Sequence, residues 1–493
     1  MSAYVQLERR LERLSDLGGA AAVLNWDQAV MMPKGGNAAR GAQLAALSGL
    51  MHELLTAAAT AELIEAARAE PLDPWQAANL QLIEERYTRA TALPQDLVEA
   101  KARAVNTCEL AWRQARADAD FASLRPHLEE VLRLTREAAT LEGDKLGLDP
   151  YAALLGQFQP GLDEATIDRL FRPLQDQLPG LIDDRLATQP TPERPHGPFA
   201  KAQQKALAQS LMAEIGFDFD HGRLDESTHP FCGGTPTDIR ITTRYDESET
   251  VSALMGVLHE TGHALYEAGL PEAWRGQPVG TSHGMAVHES QSLVIEMQAC
   301  RSPAFLRHLA GRLAATFGGQ PAFGPENLIA LYTRVEKGLI RVDADELTYP
   351  LHIVLRYRLE KALIHGDLDL HDLPAAWNDG MQELLGITPE TDRDGCLQDI
   401  HWPVGAFGYF PNYTLGGLLA AQLFQAAERA IPDLLAAIER GDFRPLRGWL
   451  RQNIHDKASS LPLQALIREA TGSELGTEAF LAHLRGRYGG GAG

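Results

Sequence analysis

The sequence predicts an all-α protein, mainly helical, with one small β-hairpin or sheet next to its chemistry. Three observations carry that prediction. Apolar residues recur at three and four positions along most of the chain, as in Leu7, Leu11 and Leu14 or Leu44, Leu47, Leu50 and Leu54, which is the spacing of one buried helix face. Ala, Leu, Glu and Arg dominate, and all four are strong helix formers. One segment, Asp238 to Tyr245, alternates instead with period two.

The helical pattern runs through about 73–92, 95–118, 122–146, 164–187 and 199–214, and resumes beyond 303. Breakers separate these stretches: Pro71 to Pro74, Pro94, and the proline-rich run from Gln189 to Pro198. The last is the best linker candidate. The expectation is a single domain, 1–493, with a subdivision into an N-terminal helical part, 1–188, and a catalytic part, 199–488. No fixed-period repeat is apparent, which counts against a solenoid. The tail 489–493 is too glycine-rich to order itself.

Composition narrows the function. Against 45 Lys and Arg stand 66 Asp and Glu, so the 493-residue chain carries a formal net charge of −21. Nucleic acid and anionic membrane surfaces both require a basic face, and neither is an expected partner. No run approaches the ~18 apolar residues of a membrane span. Met1 to Leu14 carries charges where a secretory signal would be apolar. The four cysteines, Cys108, Cys232, Cys300 and Cys396, form no CxxC pair, so reduced thiols in a cytoplasm are expected.

The alternating segment has two readings: a small sheet closing the core, or an edge that receives an extended peptide. Directly after it, Asp246 and Glu249 fit a capping box before Val251, Leu254, Met255 and Leu258, and Gly269 suits a helix stop. Inside that helix lies His259-Glu260-Thr261-Gly262-His263. Residues four apart are separated by about 400° on a helix, so both imidazoles share one face, one turn apart. That spacing lets two nitrogens meet one ion at about 2.0–2.1 Å. With 16 histidines in the chain, a chance H-E-x-x-H occurs roughly 0.04 times, so the motif is informative. Glu260, beside the two ligands, fits a general base.

A catalytic zinc site needs a third ligand. The extended histidine pattern fails, because its glycine and last histidine would fall on Tyr266 and Gly269. Glu267, on the same helix, cannot close the coordination. Glu289 and Glu296 lie on a second helical run after the turn Gly276 to Gly284, and sequence favours Glu289 modestly. His288 reads equally as a contact near the metal or substrate and as a buried structural histidine. Gly280-Thr-Ser-His-Gly284 matches the serine-hydrolase elbow, yet no strand precedes it, so a connection before the Glu289 helix is expected.

Together these residues resemble the carboxypeptidase Taq family of metallocarboxypeptidases. The motifs appear in order along nearly the whole chain: Asn25-Trp26-Asp27 with Met32-Pro33, His229-Pro-Phe231, Asp238-Ile-Arg-Ile-Thr242, His259 to His263, His288-Glu-Ser-Gln291, Ile340-Arg-Val-Asp-Ala-Asp345 and Gly395 to Trp402. The resemblance implies a neurolysin-like helical body with a deep groove, lined by the strand at 238–245, and commonly a homodimer. It implies broad removal of single residues from peptides with a free C-terminus, with His259, His263 and Glu289 as ligands and Glu260 as base. One Zn2+ per chain is expected, with Co2+ as the alternative ion.

A terminal carboxylate calls for a fixed cation, and Arg341 is the leading candidate because a guanidinium binds carboxylates bidentately. Its bland reading is an ion pair with Asp343, Asp345 or Glu346. Arg240 is the second candidate, with pairing to Asp238 as its bland reading, and His229 and His288 complete the substrate-binding set. His401, Tyr409 and Tyr413, clustered in one stretch, are candidate donors to the tetrahedral oxyanion, while each tyrosine also suits plain core packing. Two other functions compete: a metal-dependent oligopeptidase, and a non-catalytic helical binding protein.

Overall fold

The structure, a computed structural model, describes residues 1–227 and 230–489. Twenty α-helices make up its body among the described residues. The expected stretches fold as Pro74–Ala92, Gln95–Asp118, Phe121–Leu146, Glu164–Thr188 and Lys201–Ile215. Local chemistry sets their starts. Asp73 accepts from the backbone N–H groups of Trp75 and Gln76 with Pro74 in the first turn, and Asp120, Asp149 and Asp163 cap three later helices. The proline-rich run from 189 to 198 is free of helix, as its composition requires. Of the tail, Gly489 is described, and 490–493 lie outside the described residues.

One apolar core extends from Cys108 to Tyr488 and takes residues from both sides of that run, among them Phe171 and Leu174 before it and Leu258 and Leu418 after it. A smaller core of Tyr4, Leu7, Leu11, Ile64, Leu80 and Ile83 holds the first helix, Ala3–Val30, against the two helices Ala58–Ala67 and Pro74–Ala92. Each such buried side chain contributes about 1.5–3 kcal/mol of transfer free energy. No single helix among the described residues is long and apolar enough to cross a membrane.

The β-element is a three-stranded sheet: β1 Gly222–Glu226, β2 Phe231–Thr235 and β3 Asp238–Thr243, in the order β1-β3-β2. β3 pairs with β1 in parallel and with β2 antiparallel. The alternation is real, for Ile239 and Ile241 are buried, but the strand stops at Thr243. Because β3 is central, both its edges are already paired. An extended peptide could add only to the outer edge of β1 or β2.

β3 packs on the helix Val251–Gly269, which carries the two motif histidines and ends where Gly269 predicted. Its start differs from the expected capping box. Thr250 is the cap residue and makes no side-chain bond, while the Glu249 carboxylate accepts from the Val251 and Ser252 N–H groups. Asp246 turns instead onto Ser248. The capping acid is therefore Glu249, and the helix begins later than the D-x-x-E spacing implies.

Alongside runs the helix Gly284–Leu293, prolonged by a π-helical stretch, Val294–Cys300. Gly262 is what lets the two approach. A Cβ there would lie 2.6 Å from both the Gln291 carbonyl oxygen and the Ser292 Cα. On the far side, Gly416 of the helix Pro411–Ala430 makes room in the same way, since its Cβ would sit 2.7 Å from the Glu289 Cβ. The helix bearing Glu289 is thus gripped between two glycine crossings.

Gly256, on the same helix as Gly262, has nothing within 4 Å of an added Cβ. Gly256→Ala should therefore raise unfolding free energy by about 0.4–1 kcal/mol, while Gly262→Ala should lower it by about 1–3 kcal/mol through overpacking. Urea-unfolding curves of the two variants check the opposite signs.

Candidate metal centre

His259 and His263 lie one turn apart, edge to face, with ring centroids 4.9 Å from each other. Their Nε2 atoms both face Glu289 Oε2, at 3.9 and 3.5 Å. Among the described residues, this is the one set of three or more such donors whose ligand atoms all lie within 4.8 Å of one another. The other ring nitrogens are occupied: His259 Nδ1 meets Glu296 Oε2 at 3.0 Å, and His263 Nδ1 meets the His288 carbonyl at 3.1 Å. With the proton on Nδ1, each Nε2 turns its lone pair to the centre. Two nitrogens and a carboxylate oxygen suit zinc or a similar divalent ion, so these residues fit the group that the motif implies.

Sequence favours Glu289 over Glu296 only modestly. They are seven residues apart, nearly two turns, so both point toward the histidine helix. Glu289 faces the Nε2 side, whereas Glu296 sits behind His259 and is held by Arg301 at 2.6 Å. His288 lies against His263, ring centroids 4.5 Å apart, and its Nε2 is anchored on Glu267 at 2.9 Å. Glu267, set aside as a ligand, therefore orients a neighbour of the centre.

Burial opposes charge throughout the site. The Glu289 and Glu296 carboxylates overcome it at His259 and push its pKa up to about 10, while burial takes His263 down to about 4. Burial works against the Glu289 anion as well, yet His259 and His263 draw it down to about 2. The pocket thus sets the Glu289 and Glu296 carboxylates against His259, His263 and Arg301. Burial pushes the carboxyl of Glu260 up to about 7, with His259 pulling the other way.

Next to His259 and Glu289 opens a cavity of about 300 Å³ whose wall includes Arg341, Tyr349 and Tyr413. Arg341 is buried. Its Nε and Nη2 donate to Asp399 Oδ1 at 3.0 and 2.8 Å, and Nη1 donates to the Tyr349 hydroxyl at 2.9 Å. The expected alternative partners are not the ones it uses. Asp345 accepts from backbone N–H groups of Leu347 and Thr348, and Glu346 is taken by His483 and Arg487. Asp399 also accepts from Arg356 Nε at 2.6 Å, so two guanidinium groups share one carboxylate. No local spacing links residues 341, 356 and 399, which is why this cluster escaped the sequence.

His401 Nε2 lies 3.2 Å from the Tyr413 hydroxyl, and Tyr409 packs on Tyr413 with centroids 5.2 Å apart. Burial lowers the His401 pKa to about 4 and raises that of Tyr409 to about 12, so at neutral pH the imidazole is uncharged and the phenol keeps its proton. Arg240 is clamped by Asp238 at 3.0 and 2.7 Å and lies over the Trp26 ring. His229 lies outside the described residues. The elbow motif is a connection, as expected: Pro278–Gly280 is a 3-10 turn, not a strand, and leads into the Glu289 helix.

Residues 6–488 match the family described as Carboxypeptidase Taq (M32) metallopeptidase. The chain is 38% identical to thermostable carboxypeptidase 1 of Thermus thermophilus, over 98% of this chain and 97% of that one. Among solved structures, it is similar to Trypanosoma cruzi metallocarboxypeptidase 1, with a TM-score of 0.97, 40% identity and 99% of both chains covered. It is also similar to the M32 carboxypeptidase from Deinococcus radiodurans R1, with a TM-score of 0.95, 37% identity and again 99% of both chains covered.

If Glu296 fixes the tautomer and aim of His259, Glu296→Gln should keep the fold yet weaken metal affinity about 10–100-fold. Competition with a graded series of chelators measures it.

Proposed function

The chain belongs to the carboxypeptidase Taq (M32) family and is a metallocarboxypeptidase, and on that premise we propose that it removes single residues, with broad tolerance, from the free C-termini of peptides at one zinc ion held by His259, His263 and Glu289. Cobalt is the alternative ion. The observation that carries this reading is the convergence of the three ligand atoms beside a cavity into which Arg341 is built.

A divalent ion at these residues supplies Lewis acidity toward water and toward the scissile carbonyl. Glu260, adjacent to His259 and with a carboxyl held near neutrality, takes the proton of the attacking water and passes it to the leaving amine. Arg341 receives the terminal carboxylate. Three of its five N–H groups are committed to Asp399 and Tyr349, which leaves one hydrogen on each terminal nitrogen for a bidentate contact. With Arg356 sharing Asp399, the cluster carries one net positive charge, the complement of a peptide's terminal anion. Tyr409 and Tyr413, both protonated, with His401 behind Tyr413, are the donors for the oxyanion.

Arg240 and His229 belong to the substrate side of the same proposal, and His288 steadies His263. Free thiols at Cys108, Cys232, Cys300 and Cys396 fit a reducing cytoplasm, and the acidic surface fits peptides rather than nucleic acid or membrane as partners. The homodimer implied by the sequence resemblance is carried forward with this reading. The competing oligopeptidase reading would make no use of Arg341's free hydrogens.

One experiment separates them. A free-ended peptide should lose residues from its C-terminus one at a time, and the same peptide ending in an amide should be left intact; internal cleavage of both would favour the oligopeptidase. Glu260→Gln should retain its metal while losing about 10²–10⁴ in kcat, read by metal analysis and mass spectrometry on one preparation.

A further inference from the structure

Two cavities flank the metal centre along the helix that carries Glu289. The first lies toward its C-terminal end, where Leu293, Met297 and Arg301 line the wall. A second, of about 560 Å³, lies at the opposite end, where Thr281, Ser282 and Gly284 meet Arg86, Phe158 and Ser460. Phe158 packs edge-on against Tyr409, with ring centroids 4.9 Å apart, and Tyr409 packs in turn on Tyr413, which lines the first cavity. A run of three aromatic rings, Phe158, Tyr409 and Tyr413, thus leads from the wall of the second cavity to the wall of the first.

Arg86 is the unmatched charge of the second cavity. Its one polar contact among the described residues is a long one, 3.5 Å from Nη2 to the Thr281 hydroxyl. Its neighbour Glu85 is spent on Arg89, accepting from both Nε and Nη2, and Arg89 meets Glu142 as well. The Arg86 side chain is exposed, so its guanidinium is reachable from solvent. Arg89, Arg301 and Arg341 each hold a carboxylate, whereas Arg86, in a chain of net charge −21, holds none among the described residues.

We propose that Arg86 forms a subsite for an acidic side chain of the peptide substrate, on the N-terminal side of the scissile bond. The inference rests on the carboxypeptidase reading: with the terminal carboxylate at Arg341, the rest of the peptide leaves the metal centre toward the other end of the Glu289 helix. His283, on the wall of the second cavity, precedes Glu289 by six residues, a rise of about 9 Å. An extended peptide covers about 3.3 Å per residue. An acid a few residues before the cleaved bond therefore reaches the second cavity, where a charge-assisted hydrogen bond to Arg86 roughly doubles the strength of a neutral one.

The test uses free-ended peptides that share one C-terminal residue and carry Glu, Gln or Lys at each of the second to fifth positions before the scissile bond. The metal-loaded full-length enzyme should cleave one Glu peptide with a kcat/KM on the order of ten-fold above its Gln counterpart, the gain residing in KM. In Arg86→Gln that preference should vanish while the all-Gln peptide is cleaved as by the unaltered enzyme, and Arg86→Lys should restore part of it. A preference for Glu that survives in Arg86→Gln, or no preference at any position in the unaltered enzyme, overturns the subsite and leaves the carboxypeptidase reading standing. Failure to release the terminal residue from the all-Gln peptide overturns that reading and the subsite with it.

Discussion

A half-buried carboxylate set against two imidazoles, Glu289 facing His259 and His263, is the interaction on which the rest of the molecule depends. Left to itself it is costly: two half-buried ligands and a desolvated anion have lost water without a full partner. The surrounding helices are arranged to hold that cost in place. Gly262 and Gly416 permit backbone approaches that any side chain would prevent, and each places a neighbouring helix against the segment bearing Glu289. Behind the ligands, the Glu296–Arg301 pair fixes one imidazole, and the His288 carbonyl fixes the other. A divalent cation is the species that satisfies all three ligand atoms at once.

A second polar network supports the substrate side. Asp399 is stabilised between Arg341 and Arg356, and burial, which works against its anion, is overcome by the two guanidinium groups, so its pKa lies well below the usual carboxylate range. Nearby, Glu360 accepts from the Tyr151 hydroxyl, the Trp402 indole and the Gly408 N–H. Burial raises its pKa to about 7 despite those three donors. Through Trp402 and Gly408, Glu360 pins the segment that carries His401, Tyr409 and Tyr413. His401 and Tyr409 are therefore held by a buried carboxyl group within a succession of turns, while Tyr413 sits in the first turn of the helix Pro411–Ala430 that follows.

What the sequence made legible follows from the range of the interactions involved. The i, i+4 spacing of His259 and His263 is a local property of a helix, and so is the apolar periodicity that located the long helices. Glu289 was reachable because its helix follows a short turn. Its distinction from Glu296 was only modestly so, since two acids seven residues apart share a face and differ only in which imidazole nitrogen they meet. The sheet was misjudged in extent because the alternation continues through Tyr245, although pairing ends at Thr243. Asp399 became visible as the partner of Arg341 and Arg356 only when its turn segment was packed against the helix Tyr349–His365. The helix Pro150–Phe158, which supplies the Phe158 ring that packs on Tyr409, is short and apolar on nearly every side, so periodicity gave no handle on it.

The central claim is the identity of the three ligand atoms. Extended X-ray absorption of the zinc-loaded protein, joined to an anomalous difference map at the metal edge, tests it most directly. The account predicts one ion with two imidazole nitrogens and one carboxylate oxygen at about 2.0–2.2 Å, assigned to His259, His263 and Glu289. An ion bound through Glu296 or a cysteine, or bound away from His259 and His263, would contradict it.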